Sequence, residues 1–122
     1  MFDEYHDAIH KEGLRGEFHY LDSSENFFWA PPGYAVALSY DSIRAILIQN
    51  DKALATAKLH WDTLQIFPLS SRLATYTGVV NCAMTDTSGA TTNARVLESG
   101  VVVKRNDGWK LLSGQSLALQ SE

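Results

Sequence analysis

Histidines flanked by carboxylates are the first groups in this sequence that could do chemistry. His6 and His10 lie four residues apart, which places both on one face of a helix, with Asp3 and Asp7 beside them. Two histidines at that spacing can bind a metal ion, but no third ligand is evident and there is no HExxH pattern. We interpret these residues as a solvated polar helix face, and we expect neither a metal nor another cofactor.

A second histidine lies beside a carboxylate later in the chain. His60 and Asp62 alternate along one predicted strand, so their side chains point to the same face. A carboxylate in that position could orient and polarise the imidazole as a base. The opposite phase of the strand, which carries Leu59 and Trp61, is more apolar. We therefore expect Trp61 inside, and His60 and Asp62 toward solvent or a partner subunit.

Arg95 and Glu98 are three residues apart in a later strand, so they point to opposite faces. A buried arginine could bind an anionic ligand with two hydrogen bonds, and a buried glutamate would have a raised pKa and could act as acid or base. The pair could equally form a surface or interface ion pair. If Val101 and Val103 face inward, Arg95 and Leu97 share their side. This phase predicts Arg95 and Leu97 in a pocket and Glu98 outside it.

A glutamine interrupts an apolar face of the last predicted strand. In a regular strand, Gln115 shares its side with Trp109, Leu111 and Leu117. An amide can orient or recognise a ligand, but it cannot act as a general base near neutral pH. We predict that Gln115 is a polar recognition group in a pocket.

Large aromatic side chains could form the wall of such a pocket. They suit a ring-shaped ligand, although some are expected to be ordinary core residues. The candidates are Tyr20, Trp29, Trp61 and Tyr76. Cys82 has no basic neighbour, and we interpret it as a small buried hydrophobic residue.

Helices come first along the chain and strands follow. Residues 2–11 predict an amphipathic helix ended by Gly13, and a short helical turn is expected over residues 14–21. "FFWA" predicts a short strand. "SYDSIRAILIQNDKALATAK" predicts the main helix, with Asp41 or Ser42 as its cap and an apolar face that runs from Ile43 to Leu54.

From Leu59 onward the hydrophobic period is two. Four strands are predicted, joined at "PLSS", "TDTSG" and "RNDG". This order predicts an α+β domain over residues 1–122. Its N-terminal helices would pack on the concave face of a strongly curved, mainly antiparallel sheet and leave a central pocket.

Composition narrows the functional classes. The chain has 122 residues, 45% of them hydrophobic, and a formal net charge of −4. Nucleic acids and anionic membranes attract clustered lysine and arginine, so we expect neither as a partner. The charged N-terminal segment does not fit a signal peptide, and the single cysteine allows no intrachain disulfide. These features favour a cytoplasmic location.

Several motifs in this order resemble the nuclear transport factor 2-like superfamily, which has a cone-shaped, cystatin-like fold and includes SnoaL-like and ketosteroid isomerase-like proteins. They are "YHDAI", "ENFFWAPPG", "SYDSI", "LHWDTLQIFPLSSRLATYTG" and "VVVKRNDGWKLLSGQS". The resemblance implies one of many uses, because relatives include isomerases, dehydratases, polyketide cyclases and non-catalytic binding modules. It also implies a homodimer that pairs through the open sheet face.

The sequence departs from the catalytic pattern of these relatives. Ketosteroid isomerase-like chemistry uses an Asp base with a Tyr and a protonated Asp as donors. The Tyr could be Tyr5 or Tyr20, whereas Asp22 falls in a turn and Asp62 could face either way. Gln115 stands where relatives often have histidine.

Two functions therefore stay open from the sequence. One is a pocket protein for a small apolar or ring-containing ligand, with or without isomerase, dehydratase or cyclase-like activity. The other is a non-catalytic homodimerisation or assembly module with a vestigial pocket.

Overall fold

The computed structural model describes residues 1–119, in which helical segments precede a run of long strands. A 3₁₀ helix, Gly13–His19, directly follows the first α-helix. The other elements are α1 (Phe2–Glu12), β1 (Phe28–Ala30), α2 (Tyr40–Asp51), β2 (Leu54–Pro68), β3 (Leu73–Asp86), β4 (Thr91–Arg105) and β5 (Gly108–Leu119). Neither α-helix in this part of the chain is long and apolar enough to span a membrane.

The strands form one five-stranded mixed sheet in the order β1-β5-β4-β3-β2. β1 runs parallel to β5, and the remaining neighbours are antiparallel hairpin partners. The hairpins after β3 and β4 contain Gly89 and Gly108 at positive φ, a conformation that glycine adopts without steric cost. The predicted α+β class and the predicted run of antiparallel strands are confirmed.

The ends of the helices follow local chemistry. α1 ends at Gly13, whose φ of 77° suits glycine. α2 begins after Ser39, whose side chain accepts a hydrogen bond from the Ser42 backbone N–H at 3.3 Å. The predicted caps, Asp41 and Ser42, were wrong by two to three residues. Leu54 was also misplaced on the helix, because β2 already pairs with β3 there.

The helices pack against one face of the sheet, which we call the inner face; the opposite one is the outer face. Phe2 of α1 contacts Tyr76, with ring centroids 4.6 Å apart, and meets the Trp61 ring edge to face at 5.5 Å. Ile9 and Leu111 are almost fully buried in this layer. α1 and β2 together therefore close one side of the space above the sheet.

A bulge in β5 decides which of its side chains face the helices. Val102 pairs with Leu111, but Val101 pairs with Ser113, so Leu112 is an extra residue. Before the bulge Leu111 faces inward, and after it Ser116 does. The alternation is therefore inverted along the second half of the strand.

Candidate functional site

A cavity of about 240 Å³ lies between α2, the segment after β1 and the inner face of the sheet. Its walls are mostly apolar, with polar groups at a few positions. The apolar lining consists of Leu21, Phe27, Trp29, Pro31, Pro32, Ile43, Ile46, Leu47, Leu59, Val80, Met84, Val96 and Leu111. The other lining residues are Tyr5, Glu17, Asn50, Cys82, Glu98 and Ser116.

Glu98 projects into this cavity from the middle of β4. Its Oε2 accepts a hydrogen bond from the Tyr76 hydroxyl at 2.6 Å. Removal from bulk water disfavours the carboxylate and raises the pKa of Glu98 to about 7, although the hydrogen bond from Tyr76 opposes this rise. Burial also raises the pKa of the Tyr76 phenol well above its usual value. Tyr76 is therefore a hydrogen-bond donor at neutral pH.

Glu17 reaches the same cavity from the 3₁₀ helix. Its Oε1 accepts a hydrogen bond from the hydroxyl of Tyr5 on α1. The pKa of Glu17 is raised to about 7, chiefly by burial and to a smaller extent by the charge of Glu98, while the hydrogen bond from Tyr5 opposes the rise. The two carboxyl groups thus have matching environments, each with one phenol donor.

The two carboxyls interact without a compensating cation. The cavity lining contains no lysine, arginine or histidine within residues 1–119. The charge of Glu98 raises the pKa of Glu17, but burial is the larger cause. Because both pKa values are about 7, each carboxyl can be protonated or ionised at neutral pH, so the two can supply an acid and a base in one cavity.

Trp29 is the predicted site residue that lines this cavity. Its indole Nε1–H donates to Ser116 Oγ at 3.1 Å. The ring lies on the backbone of Gly114, where an added Cβ would come within 2.6 Å of it. A ligand contact at Trp29 stays a prediction.

Tyr76 and Trp61 lie on the inner face as core residues. Tyr76 is buried beneath Phe2 and acts on the cavity through Glu98. Trp61 packs against Phe2 and stacks with His6, and its buried Nε1–H finds no acceptor among the described residues. The expectation that Trp61 faces inward is correct, but it does not line the cavity.

Tyr20 lies outside the cavity. Its ring meets Tyr5 edge to face at 5.6 Å, and it borders a surface depression with His19 and Lys110. Of the two tyrosines that the family resemblance offered, the structure places Tyr5 at the cavity.

The predicted phase of β4 is wrong. Arg95 and Leu97 lie on the outer face, where Arg95 forms an ion pair with Asp62 at 3.5 Å and Leu97 is 38% exposed. Glu98, expected outside, faces the cavity. Three consecutive valines, residues 101–103, fit either phase, so they could not decide it.

Gln115 also lies on the outer face, beside Ser99 and against the segment that follows β1. The bulge at Leu112 removes it from the side that Leu111 occupies. The polar residue on the inner side of this stretch is Ser116, which holds Trp29. Gln115 therefore lines a depression on the outer face and not the inner cavity, and its role in ligand recognition stays a prediction.

The histidines have different environments. His60 and Asp62 lie on the outer face as expected, and the Asn81 amide lies between them, 3.2 Å from His60 Nε2. His6 is buried and stacked on Trp61, so the prediction that it lies on a solvated helix face is wrong. His10, by contrast, is exposed. Burial lowers the pKa of His6 to about 4. Among residues 1–119 no three His, Cys, Asp or Glu side chains converge as metal ligands.

Glu17 is not among the residues predicted for the site, although the sequence carries a usable signal for it. Glu17 is three residues after Leu14 and four before Leu21, so it shares their apolar helical side. An acid on an apolar face is a candidate for an inward carboxyl.

Cys82 lines the cavity, and burial raises the pKa of its thiol to about 11, in keeping with its interpretation as an unreactive thiol.

Solved structures provide the comparison that identifies the fold, since no protein-family model and no curated protein sequence matches the chain. A nuclear transport factor 2-like superfamily protein from Salmonella enterica serovar Typhimurium superposes with a TM-score of 0.79 at 16% identity, covering 98% of this chain and 87% of the other. The chain has the nuclear transport factor 2-like fold.

Two further structures with this fold illustrate its range. A scytalone dehydratase-like protein from Novosphingobium aromaticivorans has a TM-score of 0.80 at 15% identity, covering 98% of this chain and 79% of the other. An uncharacterised protein with a cystatin-like fold from Caulobacter vibrioides has a TM-score of 0.72 at 13% identity, covering 98% of this chain and 84% of the other. At these identities the likeness describes the fold, and function has to be argued from the site.

Proposed function

We propose that this domain binds a small, ring-containing molecule in the inner cavity and transfers protons on it through Glu17 and Glu98. One observation carries the proposal: two carboxyl groups with pKa values of about 7 face one largely apolar cavity. Acids and bases work best when their pKa is near the working pH. A purely structural core would gain stability from apolar groups in their place.

The size and walls of the cavity favour a single ring. A cavity of roughly 150 Å³ is enough for benzene, and this one measures about 240 Å³. That leaves room for a ring with one or two small substituents. Trp29, Phe27 and Leu47 supply flat or apolar contact surface.

The reaction that suits the pair is proton abstraction beside a carbonyl group. The ionised carboxyl takes a proton from the carbon, and the electron pair of that C–H bond forms the carbon–carbon double bond of an enol. The protonated carboxyl gives its proton to the carbonyl oxygen, so the pair ends with the same total number of protons. Isomerisations and dehydrations of carbonyl compounds can begin with this step.

Hydrogen exchange tests the proposal without knowledge of the natural substrate. Small cyclic ketones in D₂O are expected to exchange their α-protons faster with the protein than in buffer, as measured by proton NMR. Glu17→Gln and Glu98→Gln should each slow this exchange by about 100-fold or more, the usual range for loss of a general acid or base. Glu25→Gln, which changes an exposed glutamate, is the matched control. Exchange that is unaffected by both cavity substitutions would contradict the proposal.

A second function, homodimerisation through the outer face, is favoured by its exposed apolar side chains. Val79, Leu97 and Leu117 are neighbours across three strands, and Leu117 is 58% exposed. Phe28 and Phe67 are each about half exposed on the same side of the sheet. Contiguous apolar surface of this kind marks interaction sites. We propose a cytoplasmic homodimer, a role that is compatible with a working cavity on the inner face.

A further inference from the structure

The polar groups of the inner cavity are unbalanced in charge and in hydrogen-bonding capacity. Glu17 uses Oε1 to accept from Tyr5, and Glu98 uses Oε2 to accept from Tyr76. The second oxygen of each carboxyl accepts no hydrogen bond from the part of the chain that the structure describes. The cavity therefore presents free acceptors, and its walls in residues 1–119 carry no positive side chain.

We propose that the ring-containing carbonyl compound bound in this cavity also carries an amino group, in its protonated, positively charged form. This inference rests on the proposed function, because it names the substrate class for the same cavity. The ammonium group would donate to the free oxygen of whichever of Glu17 and Glu98 is ionised, and the ring would lie among the apolar side chains.

Three physical terms favour an ammonium group over a neutral or anionic substituent. Hydrogen bonds between charged partners are about twice as strong as neutral ones. The aromatic rings of Tyr5, Phe27 and Trp29 also line the cavity, and aromatic faces attract cations. A ligand carboxylate would instead add a third acidic group to two that already repel each other.

Three probes of nearly equal size separate these cases: benzylamine, benzyl alcohol and benzoate. By titration calorimetry at neutral pH, we expect benzylamine to bind the wild-type protein at least about tenfold more tightly than benzyl alcohol. Benzoate should show no binding. Because all three probes contain the same phenyl ring, differences in their affinity show the effect of the substituent.

Isosteric substitutions then locate the effect. Glu17→Gln and Glu98→Gln keep the side-chain shape, and each should weaken benzylamine binding about tenfold or more while leaving benzyl alcohol within about threefold. Glu4→Gln is the matched control, because Glu4 lies with Asp7 and Glu12 in a separate acidic surface depression. Circular dichroism of each variant checks folding, and unchanged alcohol binding provides a second check.

Each outcome has a distinct meaning. Equal or tighter binding of benzyl alcohol overturns the amine assignment and leaves the proposed function standing. Benzylamine binding that responds to Glu4→Gln, and to neither cavity substitution, places the amine on the surface and also overturns it. If no probe binds the wild-type protein, both the amine assignment and the single-ring cavity function fail.

Discussion

At the scale of single residues, the two cavity carboxyls oppose folding at neutral pH. Each has a pKa of about 7 in the folded chain, whereas an unfolded glutamate titrates near 4.3. Between these values the folded state binds more protons, so their contribution to stability is full below pH 4.3 and is lost as pH rises through 7. The buried His6, with a pKa of about 4, has the opposite effect between roughly pH 4 and 6.5. A chain that retains such carboxyls is expected to use them.

Glu98→Gln should therefore become more stable relative to the wild type as pH rises. The difference in the free energy of unfolding is expected to shift toward the variant by about 2 kcal/mol between about pH 5 and pH 8, because the amide has no proton to lose. Urea denaturation at several pH values measures it. The effect of His6 cancels, since both proteins contain this residue. Glu25→Gln, which changes an exposed glutamate, is the control, and a difference for Glu98→Gln that does not change with pH would contradict the raised pKa of Glu98.

At the scale of elements, the 3₁₀ helix holds Glu17 against Tyr5. Asp51, the last residue of α2, accepts a hydrogen bond from the Leu14 backbone N–H at 2.9 Å. Beyond the helix, the Tyr20 carbonyl accepts from the Leu111 backbone N–H of β5 at 2.7 Å. The segment is thus tied to α2 at one end and to the sheet at the other. Its contact with α1 is equally close, because Gly16 lies directly against the Ala8 backbone.

Gly16→Ala is expected to push α1 and the 3₁₀ helix apart. The added Cβ would lie 2.4 Å from the Ala8 carbonyl oxygen, which is backbone and cannot rotate away. We expect the free energy of unfolding to fall by about 2–3 kcal/mol, the usual cost of overpacking, with weaker probe binding in the cavity. Urea denaturation provides the measurement. Arg15→Ala, an exposed neighbour, should cost less than about 1 kcal/mol. Equal stability of Gly16→Ala and wild type would mean that this contact is loose.

At the scale of the whole molecule, the two faces of the sheet have different roles. Helices cover the inner face and leave the carboxyl-lined cavity, while leucine and phenylalanine side chains are exposed on the outer face. The two proposed functions thus use different surfaces and can be separated by substitution.

Leu97→Lys and Leu117→Lys are expected to convert a dimer into a monomer. In a symmetric interface each substitution places a buried charge on both subunits, which is costly without a partner. Light scattering coupled to size-exclusion chromatography measures the mass. Leu69→Lys, at an exposed leucine in the β2–β3 connection, is the control and should leave the mass unchanged. Cavity binding of benzylamine should stay within about threefold in all three variants. A wild-type monomer, or a dimer that persists when Leu97→Lys and Leu117→Lys are combined, would exclude this interface.

Much of the fold could be predicted because its signals are local. The spacing of Phe2, Tyr5 and Ile9 predicts α1, and glycines in the later hairpins mark where strands turn. The residues that form the candidate site were harder to predict from the sequence. Trp29 lines the cavity, and its contact with a ligand stays a prediction, whereas Arg95, Leu97 and Gln115 lie on the opposite side of the sheet from the one predicted. These errors concern which face of the sheet the side chains of a strand occupy, and this is set by how the strand pairs with its neighbours.

By itself, the sequence determined the order of the elements, the α+β class and the period of two in the long strands, because helix and strand periods are properties of consecutive residues. Only the tertiary structure decided which side of each strand faces the helices. The bulge at Leu112, where β5 pairs with β4, turns Ser116 inward and Gln115 outward, and on β4 Glu98 shares the inner side with Val96. The tertiary structure also brings Glu17 and Glu98, which are far apart in the sequence, into one cavity. Their raised pKa values follow from shared burial, which no stretch of consecutive residues specifies.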